Sequence, residues 1–215
     1  MTAGRVARGR IDKREAILRA AFDVFAREGF ATAGVDVIAA EAGVAKPTVY
    51  NHFGDKETLF REVVAAESER ALAKNMAVVD LLRTPSPDVR ELLAEVGFRL
   101  AQCYTEDRSW ALRRLLHTEI ARFPDLVGVV RGEVADRVGA ALADQFARLS
   151  LSGGLRGLDP ASAAEQFTAL LTGPMEGRSR MGTVPVGAAE LRSVAEAAVD
   201  TFLAAFGPAD RSVAE

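Results

Sequence analysis

Apolar residues recur along this chain at helical rather than strand spacing. Leu18, Ala21, Phe22 and Phe25 fall at i, i+3, i+4 and i+7, with Ile17 and Val24 beside them, which predicts an amphipathic helix over residues 12–28. Gly29 supplies its stop signal. Val35, Ile38, Ala39 and Ala42 repeat the spacing in a shorter helix that Gly43 ends. A third short helix runs from Lys46 to Phe53, with Pro47 in the first turn, where a missing N–H costs no intrahelical bond. Gly54 ends it. Asp55 is a good N-cap for a long fourth helix over 55–82, which carries Leu59, Phe60, Val63 and Val64 on one face.

Thr84-Pro85-Ser86-Pro87-Asp88 reads as a linker. Beyond it the pattern predicts helices over 88–105, 107–122, 125–150, 160–175 and 188–206. They are separated by Phe123-Pro124-Asp125, a glycine-rich loop from Ser152 to Gly157 and a loop over 177–187, and Gly207-Pro208 ends the last. No segment alternates as a strand does and no internal repeat is visible. The chain reads as all-α with about nine helices. Its organisation reads as a three-helix head over 1–54, with residues 1–10 a disordered basic arm, then a connecting helix over 55–82 and a helical body over 83–215.

Composition supports this and narrows the function. With 49% apolar and 27% charged residues among 215, the chain can bury a core, and its low aromatic content favours helix over sheet. The lone Cys103 excludes an intrachain disulfide and reads as a small buried hydrophobe. No apolar run approaches a membrane span or a signal peptide, so a cytoplasmic, soluble protein with no membrane partner is expected. The net charge of −3 is unevenly placed. Residues 1–20 carry six Lys/Arg and two Asp/Glu, a net +4, and residues 1–52 a net +2, which leaves −5 for the rest. A basic end on an acidic body suits a chain that meets phosphate at one end only.

The chemistry concentrates between Gly43 and Phe53. Two short helices joined through Glu41-Ala42-Gly43-Val44-Ala45 form the signature of a helix-turn-helix. Ala39 is small where the helices cross, Gly43 permits the left-handed backbone that reverses the chain, and Ile38, Val44, Val49 and Phe53 pin the second helix. Lys46, Thr48, Asn51 and His52 are left facing outward, with Pro47 and Tyr50 beside them. These are donors for phosphates and base edges, a ring for thymine methyl contact and a phenol of useful reach.

Residues 12–60 closely resemble the N-terminal domain of TetR-family transcriptional regulators. The string that carries the resemblance is Ile38-Ala39, Ala42-Gly43-Val44, Lys46-Pro47-Thr48-Val49-Tyr50, His52-Phe53 and Lys56-Glu57-Thr58-Leu59-Phe60. The resemblance implies that Lys46, Pro47 and Thr48 face the groove while Tyr50, His52 and Lys56 contact phosphates. Two positions depart from the family: Ala33-Gly34 stands where Thr-Ser is usual, and Ala45 where Ser is usual. Thr32 is expected to take over the cap of the second helix and to sit near phosphate. The implied partners are a near-palindromic double-stranded operator and a second copy of the chain, paired through the two C-terminal helices. The expected dimer stripe comprises Phe167, Leu170 and Leu171 with Leu191, Val194, Ala195, Ala198, Val199, Phe202 and Leu203, with an intramolecular core as the rival reading of the same residues.

The resemblance also implies a small hydrophobic effector in the body. Phe98, Cys103, Tyr104, Trp110, His117, Phe123 and Met175 are the candidate lining, being large or polarizable residues of the central helices. His117 reads either as a core histidine or as a pocket residue. No HxxxH or Cys/His cluster suggests a metal, and no cofactor is implied. An enzyme is disfavoured: there is no nucleophile elbow, no useful His–carboxylate pair, and Gly153-Gly154 with Gly157 follows no strand. A repressor released by its effector is the leading expectation. An activator of the same fold and a helical protein-binding adaptor are the alternatives.

Overall fold

The computed structural model describes residues 3–84, 86–157 and 159–208, with the backbone alone for residues 3–11 and Arg131. All regular structure among them is helical, in order α1 (Ala3–Thr32), α2 (Val35–Glu41), α3 (Lys46–Phe53), α4 (Lys56–Val79), α5 (Val89–Thr105), α6 (Asp107–Glu119), α7 (Pro124–Val130), α8 (Arg137–Leu151), α9 (Pro160–Arg178) and α10 (Ala188–Phe206). A 3₁₀ turn over Asp80–Arg83 follows α4, and a π-helical turn over Arg131–Asp136 joins α7 to α8. The helix expected over 125–150 is therefore one continuous run with a widened turn inside it. Counting that run once gives nine helices. No helix among the described residues is long and apolar enough to cross a membrane.

α1 begins at Ala3, earlier than the expected start at residue 12, so the backbone from Ala3 to Arg10 is helical where a disordered arm was expected. Ala3, Arg5, Ala7, Arg8 and Arg10 are good helix formers and no proline intervenes. Met1, Thr2 and the side chains up to Ile11 lie outside what is described. At the other end Gly29 adopts φ 75°, ψ 163° and breaks the helical path, as its stop signal predicts.

The chain divides into two compact units, Met1–Arg70 with Ala111–Arg131, and Ala71–Trp110 with Gly132–Glu215. Residues 111–131, read from sequence as part of the body, thus group with the head. In the first unit Ile17, Ala21, Val24 and Phe25 of α1 pack with Ile38 of α2 and with Leu59, Phe60, Val63 and Val64 of α4, all essentially inaccessible. Leu112, Leu115, Leu116 and Phe123 complete that core. Its centre is aromatic: the Phe60 and Phe123 rings lie 4.8 Å apart, with Phe30 edge-on to both at 5.1 and 4.9 Å. Such contacts add about 0.5–1.5 kcal/mol each beyond area burial.

The second unit is built on α5, α8, α9 and α10. Gly97 of α5 lets Leu171 of α9 and Ala195 of α10 approach, since a methyl there would lie 3.1 Å from Leu171 Cδ2. Phe146, Phe167 and Phe202 stack around one point with centroids 5.1–5.5 Å apart. Phe167, Leu171, Leu191, Val194, Ala195, Ala198, Val199 and Phe202 are buried within this single chain. The stripe expected to pair two copies is therefore intrachain core, because α5 takes the apolar face of α10 that sequence alone leaves open. Asp88 caps α5 through Glu91 N at 2.9 Å, and Asp159 caps α9 through Ser162 N at 2.9 Å. Arg156, in the glycine-rich loop, donates to the carbonyls of Ala204 and Ala205 in the last turn of α10.

Candidate nucleic-acid interface

The helix-turn-helix is fixed by backbone hydrogen bonds that the sequence anticipates. Gly43, at φ 65°, closes α2: its own N–H donates to Ala40 O at 3.1 Å, and Val44 N donates to Ala39 O at 3.0 Å. This pair is a Schellman cap, and it needs a residue tolerant of the left-handed region at that one position. Ala45 then takes an extended conformation as N-cap of α3, with Pro47 inside the first turn. Neither α2 nor α3 has a side-chain cap; the N-cap residues are Gly34 and Ala45. Thr32 does not replace the missing cap of α2, because it lies two residues before Gly34 at the end of α1 and faces outward.

α3 buries Val49 and Phe53 and turns the rest of its surface away from the core. Lys46, Pro47, Tyr50 and Asn51 are exposed and follow the i, i+1, i+4, i+5 spacing of one helix face; Thr48 and His52 flank it half-buried. Tyr50 is 43% exposed. The head that presents this face is braced from behind. Arg27 of α1 bridges to Glu41 of α2 at 2.7 Å, Arg14 of α1 pairs with Glu62 of α4, and the Arg14 guanidinium lies 5.6 Å from the centre of the Phe53 ring. Asp55 caps α4, accepting Thr58 N at 2.7 Å, and that bond holds its carboxyl below the ordinary value.

Lys56 is placed differently from its expected phosphate role. Its ammonium donates to Ala31 O at 3.2 Å and sits 4.9 Å from the centre of the Phe30 ring, so it ties α4 to the end of α1. Partial burial, with Arg122 nearby, pushes its pKa down. It borders a cleft of about 600 Å³ that also takes in Asp55, Arg61 and Arg122. Arg61 in turn bonds Asp125 at 2.5 Å and Glu57 at 3.2 Å.

The seven residues expected to line an effector pocket are divided between the two units. Phe98, Trp110 and Met175 are core residues of the second unit, and Cys103 and Tyr104 are half-buried beside them. Tyr104 meets Trp110 edge-on at 5.5 Å, and Gly182 closes over the same indole. Burial, chiefly, raises the Cys103 thiol above its ordinary value, in keeping with a structural role. His117 and Phe123 belong to the first unit. His117 is exposed, since Leu112, Leu115 and Leu116 take the inward face of α6 and the next residue rotates about 100° away. Phe123 fills the aromatic centre of the head core. Glu119, which bonds the backbone N–H of Phe30 at 3.0 Å, has no local sequence signal and was missed.

The head and body each match a known family profile. Residues 17–63 match the profile described as bacterial regulatory proteins, tetR family, and residues 91–208 match the AefR-like transcriptional repressor, C-terminal domain. The chain belongs to the TetR family of transcriptional regulators. It is a DNA-binding regulator of transcription. A TetR-family structure from Mesorhizobium loti superposes with a TM-score of 0.84 at 29% identity, covering 92% of this chain and 98% of that one. The flavonoid-responsive regulator FrrA superposes with a TM-score of 0.66 at 27% identity, over 92% of this chain and 98% of its own. The transcriptional activator FasR of Mycolicibacterium smegmatis is 36% identical over 87 residues, which is 40% of this chain. The match spans only 38% of FasR, about two fifths of its length.

Proposed function

We propose that this TetR-family member is a homodimeric repressor that reads a near-palindromic operator with α3 and leaves it when a small, largely apolar effector binds the helical body. The observation that carries the reading is the exposed face of Lys46, Pro47, Tyr50 and Asn51 on a helix whose opposite side is locked into the head core. Thr48 joins that face at the groove. Tyr50 and His52 serve as phosphate contacts, and Lys56 reaches phosphate from the start of α4 only by leaving its seat at Ala31. The missing hydroxyl at Ala45 makes the uncapped amide of Lys46 the remaining donor at that helix start.

Repression is favoured by the AefR-like repressor profile of the body. An activator is the second reading, favoured by the likeness of 87 residues of the chain to FasR. The responsiveness of FrrA to a flavonoid supports a small-molecule effector here without identifying it. Dimerisation follows from operator geometry: two reading helices about 34 Å apart match successive major grooves. In this reading the protein acts in the cytoplasm.

Footprinting of the purified full chain on the DNA flanking its own gene tests the reading. A protected near-palindrome is expected. Lys46→Ala should weaken operator binding with melting unchanged. Absence of protection at low salt overturns the reading. A reporter driven by the protected promoter separates repression from activation.

A further inference from the structure

The second unit carries a cleft of about 840 Å³ between the start of α5 and the ends of α8 and α10. This is within the size range of sites for small ligands, about 300–1,000 Å³. Leu82, Leu149 and Leu203 supply apolar wall. Gln145 of α8 also lines it. That side chain is 6% exposed, and its Oε1 has no hydrogen-bond partner in the structure. A buried amide oxygen without a donor is costly, and its commonest remedy is a donor supplied from outside the chain. One turn further along α8, Arg148 stands exposed at the same cleft and makes no ion pair among the described residues. The other two arginines there are engaged, Arg90 with Asp200 at 2.7 Å and Arg83 with Asp80 at 3.6 Å. The one carboxylate lining the cleft, Asp88, is committed to the cap of α5.

We propose that this cleft is an effector site for a small organic acid with an apolar body and a hydroxyl group. The hydroxyl donates to Gln145 Oε1, the carboxylate pairs with Arg148, and the body lies on the leucine wall. The inference rests on the effector reading above and gives it a location and a ligand class. None of the residues picked from sequence as pocket lining borders this cleft.

The test is calorimetric titration of the full chain with para-hydroxycinnamate and omega-hydroxydodecanoate, each compared with the same acid lacking the hydroxyl and with its methyl ester. At least one hydroxy acid is expected to bind. Removing the hydroxyl should weaken binding roughly ten-fold in the native protein and not in Gln145→Leu. Esterification should weaken it roughly ten-fold in the native protein and not in Arg148→Gln. Gln145→Leu replaces an unpartnered polar group by an apolar one and should melt no lower than the native chain; Arg148→Gln changes an exposed residue only. If neither acid binds, or both variants bind as the native protein does, the site is overturned, and Gln145 is then satisfied by a trapped water. Operator binding is measured on the same preparation. Operator binding without acid binding sinks the cleft and leaves the DNA-reading function standing; acid binding without operator binding does the reverse.

Discussion

The carboxylate of Glu119 accepts the backbone N–H of Phe30 at 3.0 Å, joining residues 89 positions apart. Gly29 turns the chain so that the next amide meets this carboxylate, and the backbone carbonyl of Glu119 accepts from Phe123 N at 2.9 Å. One residue thus fixes both the end of α1 and the turn that carries Phe123 into the aromatic centre. Glu119→Ala should cost about 1–2 kcal/mol of stability, the usual range for a part-buried amide stripped of its acceptor. Glu119→Gln keeps an acceptor and should cost less. Denaturant midpoints of the three proteins decide this; a native-like midpoint for Glu119→Ala would mean the bond contributes nothing.

Gly29 and Gly43 both have positive φ, yet their substitutions should differ in cost. At φ 75°, ψ 163° Gly29 occupies a region closed to other residues, and strain of about 1–3 kcal/mol is expected for Gly29→Ala. The new methyl has room, its nearest neighbour being Glu119 Oε1 at 3.5 Å, so the cost is in the backbone. Gly43 lies in the ordinary left-handed region at φ 65°, and a methyl placed there would meet nothing within 4 Å. Gly43→Asn should be close to neutral, because asparagine tolerates that region. Thermal melts showing Gly43→Asn to be the more damaging change would refute this ordering.

What the sequence discloses and what it hides follow from the range of the forces involved. The helices, the Schellman turn at Gly43, the cap at Asp55 and the outward face of α3 all depend on neighbours within a turn or two, so periodicity and turn chemistry reveal them. The grouping of residues 111–131 with the head depends on contacts across dozens of residues, such as Phe123 with Phe30 and Phe60. The stripe on α10 stays open between two readings for a related reason. Leu191, Val194, Ala198 and Phe202 have the same spacing whether they face α5 or a second copy. His117 sits beside Leu116 in sequence but one rotation away in space, and only the packed neighbours of α6 determine which of the two is inside.

Acid should unload the head at Asp55. Its carboxyl lies below the ordinary value of 3.8 because Thr58 donates to the ionised form. The folded pKa is therefore lower than the unfolded one. The contribution is complete above about pH 4 and is lost as pH falls through the depressed value. Asp125, held down by the Arg61 guanidinium, titrates in the same sense. Asp55→Asn retains a capping oxygen but cannot titrate. Its melting temperature should fall less steeply than that of the native protein between pH 5 and about pH 2, and parallel curves would remove Asp55 from the account.

If a dimer pairs through α9 and α10, whose apolar faces are spent on the core of one chain, it uses their other faces. On α10 the residues Ala189, Ser193, Ala197, Thr201 and Ala205 recur every four positions, and all five are exposed. Of the two hydroxyls on this row, that of Thr201 already donates to Ala197 O at 2.9 Å. A row of small residues lets two helix axes approach to the short end of the usual 8–10 Å. Ala197→Arg places a long cation in the middle of that row while leaving the protomer core untouched. It should give a folded monomer by light scattering, with helicity retained. Operator affinity should drop by roughly 10²–10⁴, the advantage lost when two half-sites are no longer engaged together. A variant that stays dimeric at micromolar concentration would move the interface off α10.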